Sequence, residues 1–424
     1  MIQVYKFGGA SVKDASGIKN VCNIIKKISN PLVVVVSAMG KTTNAMEKLT
    51  EAFVQQNPVQ MKTSFEAIFD YHNQIVRKLF EKDDPFMSKF DQLLKTLWER
   101  VQLNPGLNYD FEYDQIVSFG EIISTHIVSA YANSIGIANQ WLDVRHLIKT
   151  DESYRDANVN WDLSSQFVHD NIDFKQQQVY ITQGFIGSTI NNITTTLGRE
   201  GSDYSGAVLA HVLNADSLSI WKDVPGVLNA DPRWYPFAQK LKEISYSEAV
   251  ELAYYGAQVI HPKTLKPLQN KNIPLFVKSF LDEELEGTVI RTEESGELDV
   301  PVYILKQDQL FITISPKDFS FILEDNLSDI FAIFSRNRIK INLMQNSALN
   351  FTVCVNNVRD ISKLISDLQK DFVVKYNEQV ELLTIRNYTD ASIQEMIQGK
   401  EVVDSQLSRK TARFVVKESA WLFH

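Results

Sequence analysis

The run Leu32-Val33-Val34-Val35-Val36, ending at Ser37-Ala38-Met39-Gly40, constrains the fold more than any other segment. It has no polar side to turn to water. A strand made of it is covered on both faces, as in a parallel sheet between helices. Comparable strand-like runs occur at 2–7, 179–182, 217–220 and 273–277, and the first three lead into Gly8-Gly9, Gln183-Gly184 and Lys222-Asp223. Helical patterns are expected between them at 17–28, 59–81, 89–102, 116–134, 205–213 and 247–254. Strands alternating with helices predict an α/β fold, with functional residues in the loops at the C-terminal ends of the strands.

A chain of 424 residues is expected to hold two or three domains at about 100–200 residues each. Composition shifts at the acidic stretch 291–299, which divides the chain into regions 1–292 and 300–424. Beyond it the pattern predicts a strand at 310–315, a helix at 327–336, strands at 339–344 and 350–355, and a helix at 358–369. That order is close to a ferredoxin-like half with one added strand. A shorter unit follows, with a strand at 380–385, a helix at 390–398 and a strand at 412–416. Two small α+β units behind a large α/β domain suggest a catalytic domain carrying a sensor.

A net charge of −9 without a Lys/Arg block argues against nucleic acid as a partner. No apolar run reaches the ~18 residues of a membrane span, and the first residues lack a basic-then-apolar export signal. Cys22 and Cys354 stand far apart and suggest neither a disulfide scaffold nor a metal knuckle. The expectation is a soluble, cytoplasmic protein of a reducing compartment, with no protein-bound metal.

Five constellations carry chemistry. Lys6-Phe7-Gly8-Gly9-Ala10-Ser11 places a cation and two glycines at a strand end, where backbone N–H groups can approach an anion; plain turn chemistry is the alternative. Residues 194–205, Thr-Thr-Thr-Leu-Gly-Arg-Glu-Gly-Ser-Asp-Tyr-Ser, gather hydroxyls, glycines, Arg199 and Asp203 at a helix start. Ser202 or Asp203 could simply cap that helix, yet the density of such residues fits an anion site. Trp221-Lys222-Asp223-Val224-Pro225-Gly226-Val227 and Ala230-Asp231-Pro232-Arg233 are turn-rich loops after a strand. Glu121, after Phe119-Gly120, opens an apolar helix and could be only a dipole partner. His261, in Tyr255-Gly256-Ala257-Gln258-Val259-Ile260-His261-Pro262, reads as structural rather than catalytic.

Taken together, KFGGASV at 6–12, FGEIIST at 119–125, TTTLGREGSDYS at 194–205, WKDVPGV with ADPR at 221–233 and YGAQVIHPKT at 255–264 resemble the aspartate kinases. The resemblance covers essentially the whole chain. It implies the amino-acid-kinase fold, a three-layer αβα sandwich, followed by a C-terminal pair of ferredoxin-like α+β ACT domains. By that pattern the first ACT-like unit, about 308–378, is inserted into a second made of about 300–307 and 379–424. The implied reaction is phosphoryl transfer from ATP, with Mg²⁺ on its phosphates, to the side-chain carboxylate of L-aspartate. This is the first step of lysine, threonine and methionine biosynthesis. Another amino-acid kinase, or a weakened amino-acid sensor of the same fold, is the alternative. No second Gly-rich dinucleotide motif follows, so an attached homoserine dehydrogenase is not expected.

The resemblance also implies roles for individual residues. Lys6 and Asp203 would be catalytic, with Asp203 organising the lysines or metal near the γ-phosphate. Ser37, Thr43, Glu121, Arg199 and Ser202 would hold aspartate, Arg199 pairing with a carboxylate and Glu121 receiving the α-ammonium. Lys6, Gly8, Gly9, Asp223, Arg233 and position 258 would line the ATP site. The chain departs from the pattern there: Gln258 stands where the family commonly has a phosphate-binding lysine, and Leu228 where it has tyrosine. Lys222 or Lys263 is expected to supply the missing charge. In the regulatory region Asn342, Met344, Asn346 and Ser347 match the strand and loop that hold an amino-acid effector, lysine first and threonine second. A homodimer or larger homo-oligomer joined through the ACT region is expected with it.

Overall fold

The computed structural model describes residues 1–257, 260–292, 298, 300–318, 320–419 and 421. These divide into two compact units: the described residues of 1–227, 241–249 and 260–292 form the first, and those of 228–240, 250–257 and 298–421 the second. Segments 228–240 and 250–257, which the composition shift leaves in the first region, pack with the second.

The strands of the first unit are β1 (Gln3–Phe7), β2 (Leu32–Val36), β3 (Gln140–Trp141), β4 (Val179–Gln183), β5 (Ile186–Ser188), β6 (Thr194–Thr196), β7 (Ser217–Lys222), β8 (Glu243–Ser245), β9 (Leu275–Ser279) and β10 (Thr288–Arg291). Its helices are α1 (Ala15–Lys26), α2 (Thr42–Val54), α3 (Pro58–Leu79), α4 (Phe86–Arg100), α5 (Tyr109–Val117), α6 (Phe119–Ser134), α7 (Trp161–Asn171), α8 (Gly201–Val212), α9 (Tyr246–Tyr255) and α10 (Pro262–Asn270). Residues 250–255 of α9 belong to the second unit. Eight strands form one sheet in the order β3-β4-β2-β1-β7-β9-β10-β8. All neighbours are parallel except β9 and β10. Every residue of β2 is buried, as its composition demands. Helix α6 packs on β2 and β4, and α8 on β1, β2 and β7.

The chain leaves β1 toward β2 on one side and returns as β7 on the other. That reversal of direction opens a crevice outside the C-terminal ends of the strands, where ligands of such sheets bind. Close approach shapes its floor. A side chain at Gly9 would stand 2.6 Å from the Ala38 carbonyl oxygen, and one at Gly184 would stand 2.6 Å from Ser202 Cβ. Glycine at these two positions lets the β1 and β4 exits close onto their neighbours.

Two expectations change. The helix predicted at 116–134 is two helices, with Ser118 closing α5 and opening α6. The offset packs Gly120 against Ala38 and Thr42 and sets Glu121 in the first turn of α6. Helix α8 begins at Gly201, before both expected capping residues, after Glu200 in the left-handed region at φ 53°. Ser202 and Asp203 therefore lie inside its first turn. Helices α2, α7 and α10 and the short strands β3, β5, β6, β8 and β10 add to the predicted set.

The second unit contains β11 (Val302–Pro316), α11 (Glu324–Arg336), β12 (Ile341–Asn346), β13 (Phe351–Asn356), α12 (Ile361–Asp371), β14 (Phe372–Arg386), α13 (Asp390–Ile397), β15 (Val402–Leu407) and β16 (Thr411–Lys417). Its six-stranded antiparallel sheet has the order β12-β13-β11-β14-β16-β15. Strands β11 and β14 are far longer than the hydrophobic pattern predicts, because both small α+β halves share them. Leu310–Ile314 pairs with β13 and Val302–Lys306 with Leu382–Arg386, with register shifts between Lys306 and Phe311. One half buries Ile312, Ile330, Val353 and Leu364. The other buries Tyr303, Ile385, Met396 and Phe414, together with Ala230 and Tyr235 of the 228–240 segment.

Candidate active site

A cleft of about 590 Å³ sits at the ends of β1, β2, β4 and β7 in the first unit. Lys6, the penultimate residue of β1, is 8% exposed, and its Nζ lies 2.5 Å from Asp203 Oδ1. Lys222, the last residue of β7, brings its Nζ to 3.9 Å from Asp203 Oδ2. One buried carboxylate in the first turn of α8 thus holds two lysines from adjacent parallel strands. The start of α8 adds its unpaired N–H groups and dipole to the same space.

Across the cleft stands Glu121, 2% exposed. Its Oε1 accepts a hydrogen bond from the Ala38 N–H at 3.3 Å, and its Oε2 is buried with no hydrogen-bond partner. Burial pushes its carboxyl up to about 8, against the smaller opposing effects of the Ala38 N–H and the Lys6 charge. A buried acid with one unsatisfied oxygen is a ready acceptor for a ligand cation. Ser37, Thr43, Arg199, Ser202, Gly8, Gly9 and Asp223 also line this cleft. Arg199 is exposed, and its guanidinium makes no hydrogen bond or ion pair with a described residue.

Other expected residues lie elsewhere. Lys263 extends its Nζ to Asp156 Oδ1 at 2.9 Å and the Leu197 carbonyl at 3.0 Å, over the Tyr204 ring. It braces the loop before α8 and is not among the residues lining the cleft. His261 caps α10, its Nδ1 accepting from the Lys263 N–H. Arg233 belongs to the second unit, where its guanidinium forks onto Asp231. Gln258 lies outside the described residues. In β12, Asn342 and Met344 border a separate cavity of the second unit, and Asn346 and Ser347 do not line it.

Among the cleft residues that carried no sequence signal, Arg155 is the charged one. It has a left-handed backbone at φ 68°, its guanidinium lies 4.4 Å from the Tyr113 ring centre, and it pairs with Asp110 at 3.3 Å. Fully buried Asp114 positions it. That carboxylate accepts from the Arg155 N–H at 3.1 Å, the Thr196 N–H at 2.8 Å and the Thr196 hydroxyl at 2.7 Å. These bonds tie the 155 loop to β6, which feeds the Gly198–Ser205 segment. Burial raises the Asp114 carboxyl to about 6 despite them.

The Lys6–Asp203 pair predicts a specific stability pattern. Lys6→Met leaves a buried carboxylate short of its nearest cation and lowers unfolding free energy at pH 7 by about 3–5 kcal/mol. The double variant Lys6→Met/Asp203→Leu recovers most of that loss, because both charges are gone. Urea denaturation of the four proteins measures the coupling, and additive losses would mean the pair is not a unit.

Known proteins identify the family. Residues 1–279 match the model of the amino acid kinase family. An aspartokinase of Chlamydia pneumoniae is 32% identical, with 90% of this chain aligned to 84% of the relative. Lysine-sensitive aspartokinase 3 of Escherichia coli is 30% identical, over 84% of this chain and 78% of its own length. Its crystal structure with lysine and aspartate superposes with a TM-score of 0.83 at 26% identity, covering 98% of this chain and 96% of that one. Its structure with aspartate and ADP gives 0.81 over the same shares. The chain belongs to the amino acid kinase family and, within it, to the aspartokinases.

Proposed function

We propose that this chain transfers the γ-phosphoryl group of ATP to the side-chain carboxylate of L-aspartate, giving ADP and 4-phospho-L-aspartate. One observation carries the reading: the cleft gathers Lys6, Lys222, Arg155 and Arg199 for two anionic substrates, and of its two buried acids Asp203 is engaged by lysines while Glu121 keeps an unpartnered oxygen for an ammonium. The aspartate carboxylate is already ionised at neutral pH and attacks phosphorus without a general base, while the bond to the ADP oxygen breaks. Catalysis then rests on positioning and charge.

Asp203 would aim Lys6 and Lys222 at the phosphates. Arg199 would clamp a substrate carboxylate with two N–H donors, Glu121 would take the α-ammonium, and the start of α8 would face the developing charge. Among the described residues no group of three or more metal-ligating side chains is gathered. Mg²⁺ would be carried in on ATP, held chiefly by phosphate oxygens whose charge it would help neutralise. Lysine or threonine is the proposed effector, held along 342–347 in a homo-oligomer joined through the second unit. This rests on the resemblance of that segment to the family's effector strand. No helix among the described residues is long and apolar enough to cross a membrane.

Purified protein with aspartate and Mg-ATP should form a product trapped by hydroxylamine as the aspartyl hydroxamate. Glutamate in place of aspartate should not. Arg199→Ala should raise the aspartate KM by ~2–4 kcal/mol equivalent and leave the ATP KM nearly unchanged. Absence of hydroxamate would sink the reading.

Lys222 is proposed to make the phosphate contact that Gln258, a neutral amide, cannot make as a charge. Lys222→Ala should cost ~10²–10³ in kcat, the scale of one lost transition-state donor. Lys263→Ala should act through stability, since its amine is committed to Asp156 and Leu197. Equal kcat losses in the two variants would argue against this division.

Glu121 sets a pH dependence. With its midpoint near 8 it is mostly protonated in the free enzyme at pH 7. Pairing with the aspartate ammonium requires the carboxylate, so binding at pH 7 should release a proton. The release should fade, and aspartate affinity rise, as pH increases through about 8. Calorimetry in buffers of different ionisation heat counts the proton, and Glu121→Gln should remove it.

A further inference from the structure

The second unit holds a cavity of about 510 Å³ between β12, the β15–β16 hairpin and residues 254–255. Its buried polar end is Arg413 on β16, only 7% exposed. The guanidinium donates to the Asn342 carbonyl at 2.6 Å and more weakly to the Thr384 hydroxyl at 3.4 Å, and it lies 5.1 Å from the Tyr255 ring centre. Behind it, the half-buried Lys306 donates to Asn342 Oδ1 at 2.8 Å. No Asp or Glu among the described residues pairs with either cation. Burial opposes both charges, and the Arg413 charge depresses Lys306 further. A buried and a half-buried cation side by side without an acid are costly unless an anion joins them.

The rest of the lining defines that anion. Leu343, Met344, Phe331 and Leu407 give the cavity an apolar wall, and the last three are exposed on the surface around it. No lining residue is acidic, so a ligand ammonium would find only neutral acceptors. We propose that this cavity binds a small organic monocarboxylate with an apolar body, its carboxylate on Arg413 and its hydrocarbon against Leu343, Met344 and Leu407. A cationic amino acid is the wrong charge for it. This site is therefore separate in chemistry from the lysine or threonine effector proposed above, although Asn342 and Met344 border both.

Calorimetric titration of the full chain with 4-methylpentanoate tests the proposal, with 4-methylpentanamide, L-lysine and inorganic phosphate as comparison ligands. Saturable binding of the carboxylate, unaffected by lysine, is expected, and the amide should bind about 10–100-fold more weakly for want of the charge-assisted bond. Arg413→Met should weaken the carboxylate by the same factor. Because Arg413 is buried, Leu407→Glu provides a second variant at an exposed position, where a negative charge at the mouth should also weaken binding. Three results would overturn the idea: equal binding of amide and carboxylate, carboxylate binding undiminished in Arg413→Met, or phosphate binding as tightly as the carboxylate. A change of oligomeric state in Arg413→Met with no carboxylate binding in the parent would assign the cations to a second copy's acid instead, and would equally overturn it.

Discussion

The ion pair between Lys6 and Asp203 is the constraint on which the catalytic unit depends. It joins the central strand β1 to the first turn of α8 in a place that water barely reaches. Neither charge is tolerable there alone, so strand end and helix start must meet. Their meeting fixes the N-terminal dipole of α8 against the exit of β1, and Lys222 joins the same carboxylate from β7. The crevice created by the strand order thereby gains two lysines at the strand ends.

The other charges of the cleft are arranged with respect to that pair. Arg199 stands at the surface and makes no hydrogen bond or ion pair with a described residue, which leaves its donors open to a carboxylate. Arg155 is held by its backbone through Asp114, which leaves its guanidinium stacked on Tyr113 at the rim. Glu121 is the buried acid of the cleft that holds no lysine, and burial pushes its carboxyl up to about 8. On the proposed reading such a site would bind anions in the resting state and accept an ammonium by giving up a proton. That is a sensible division of labour for a zwitterionic substrate with an extra carboxylate.

The second unit solves a different problem. Two small α+β halves would each have a weak core at this size, and sharing the fifteen-residue strands β11 and β14 gives both a common sheet. The register shifts near Asp308 mark where one half passes into the other. On one face of this sheet the apolar residues Phe311, Leu343, Cys354 and Val415 cluster. Arg413 and Lys306 sit beside them as charges that the apolar pattern of their strands would not lead one to expect.

Much of this was legible in the residues alone. The all-apolar run at 32–36 required a doubly covered strand, and the glycine-rich exits after 7 and 183 required crevice loops, because local periodicity reports burial and local glycine reports close approach. The family motifs brought Lys6, Glu121, Arg199 and Asp203 into one hypothesis, and these four do line one cleft. Local pattern carries no information on distances between residues remote in sequence. Only the tertiary structure put Arg155 in the cleft, committed Lys263 to Asp156, grouped 228–240 with the second unit and extended β11 and β14 through both halves. The protonation of Glu121 belongs to the same class. It depends on how far the fold buries the carboxyl, and on the opposing pull of the Ala38 N–H and the Lys6 charge, groups that only the fold brings beside residue 121.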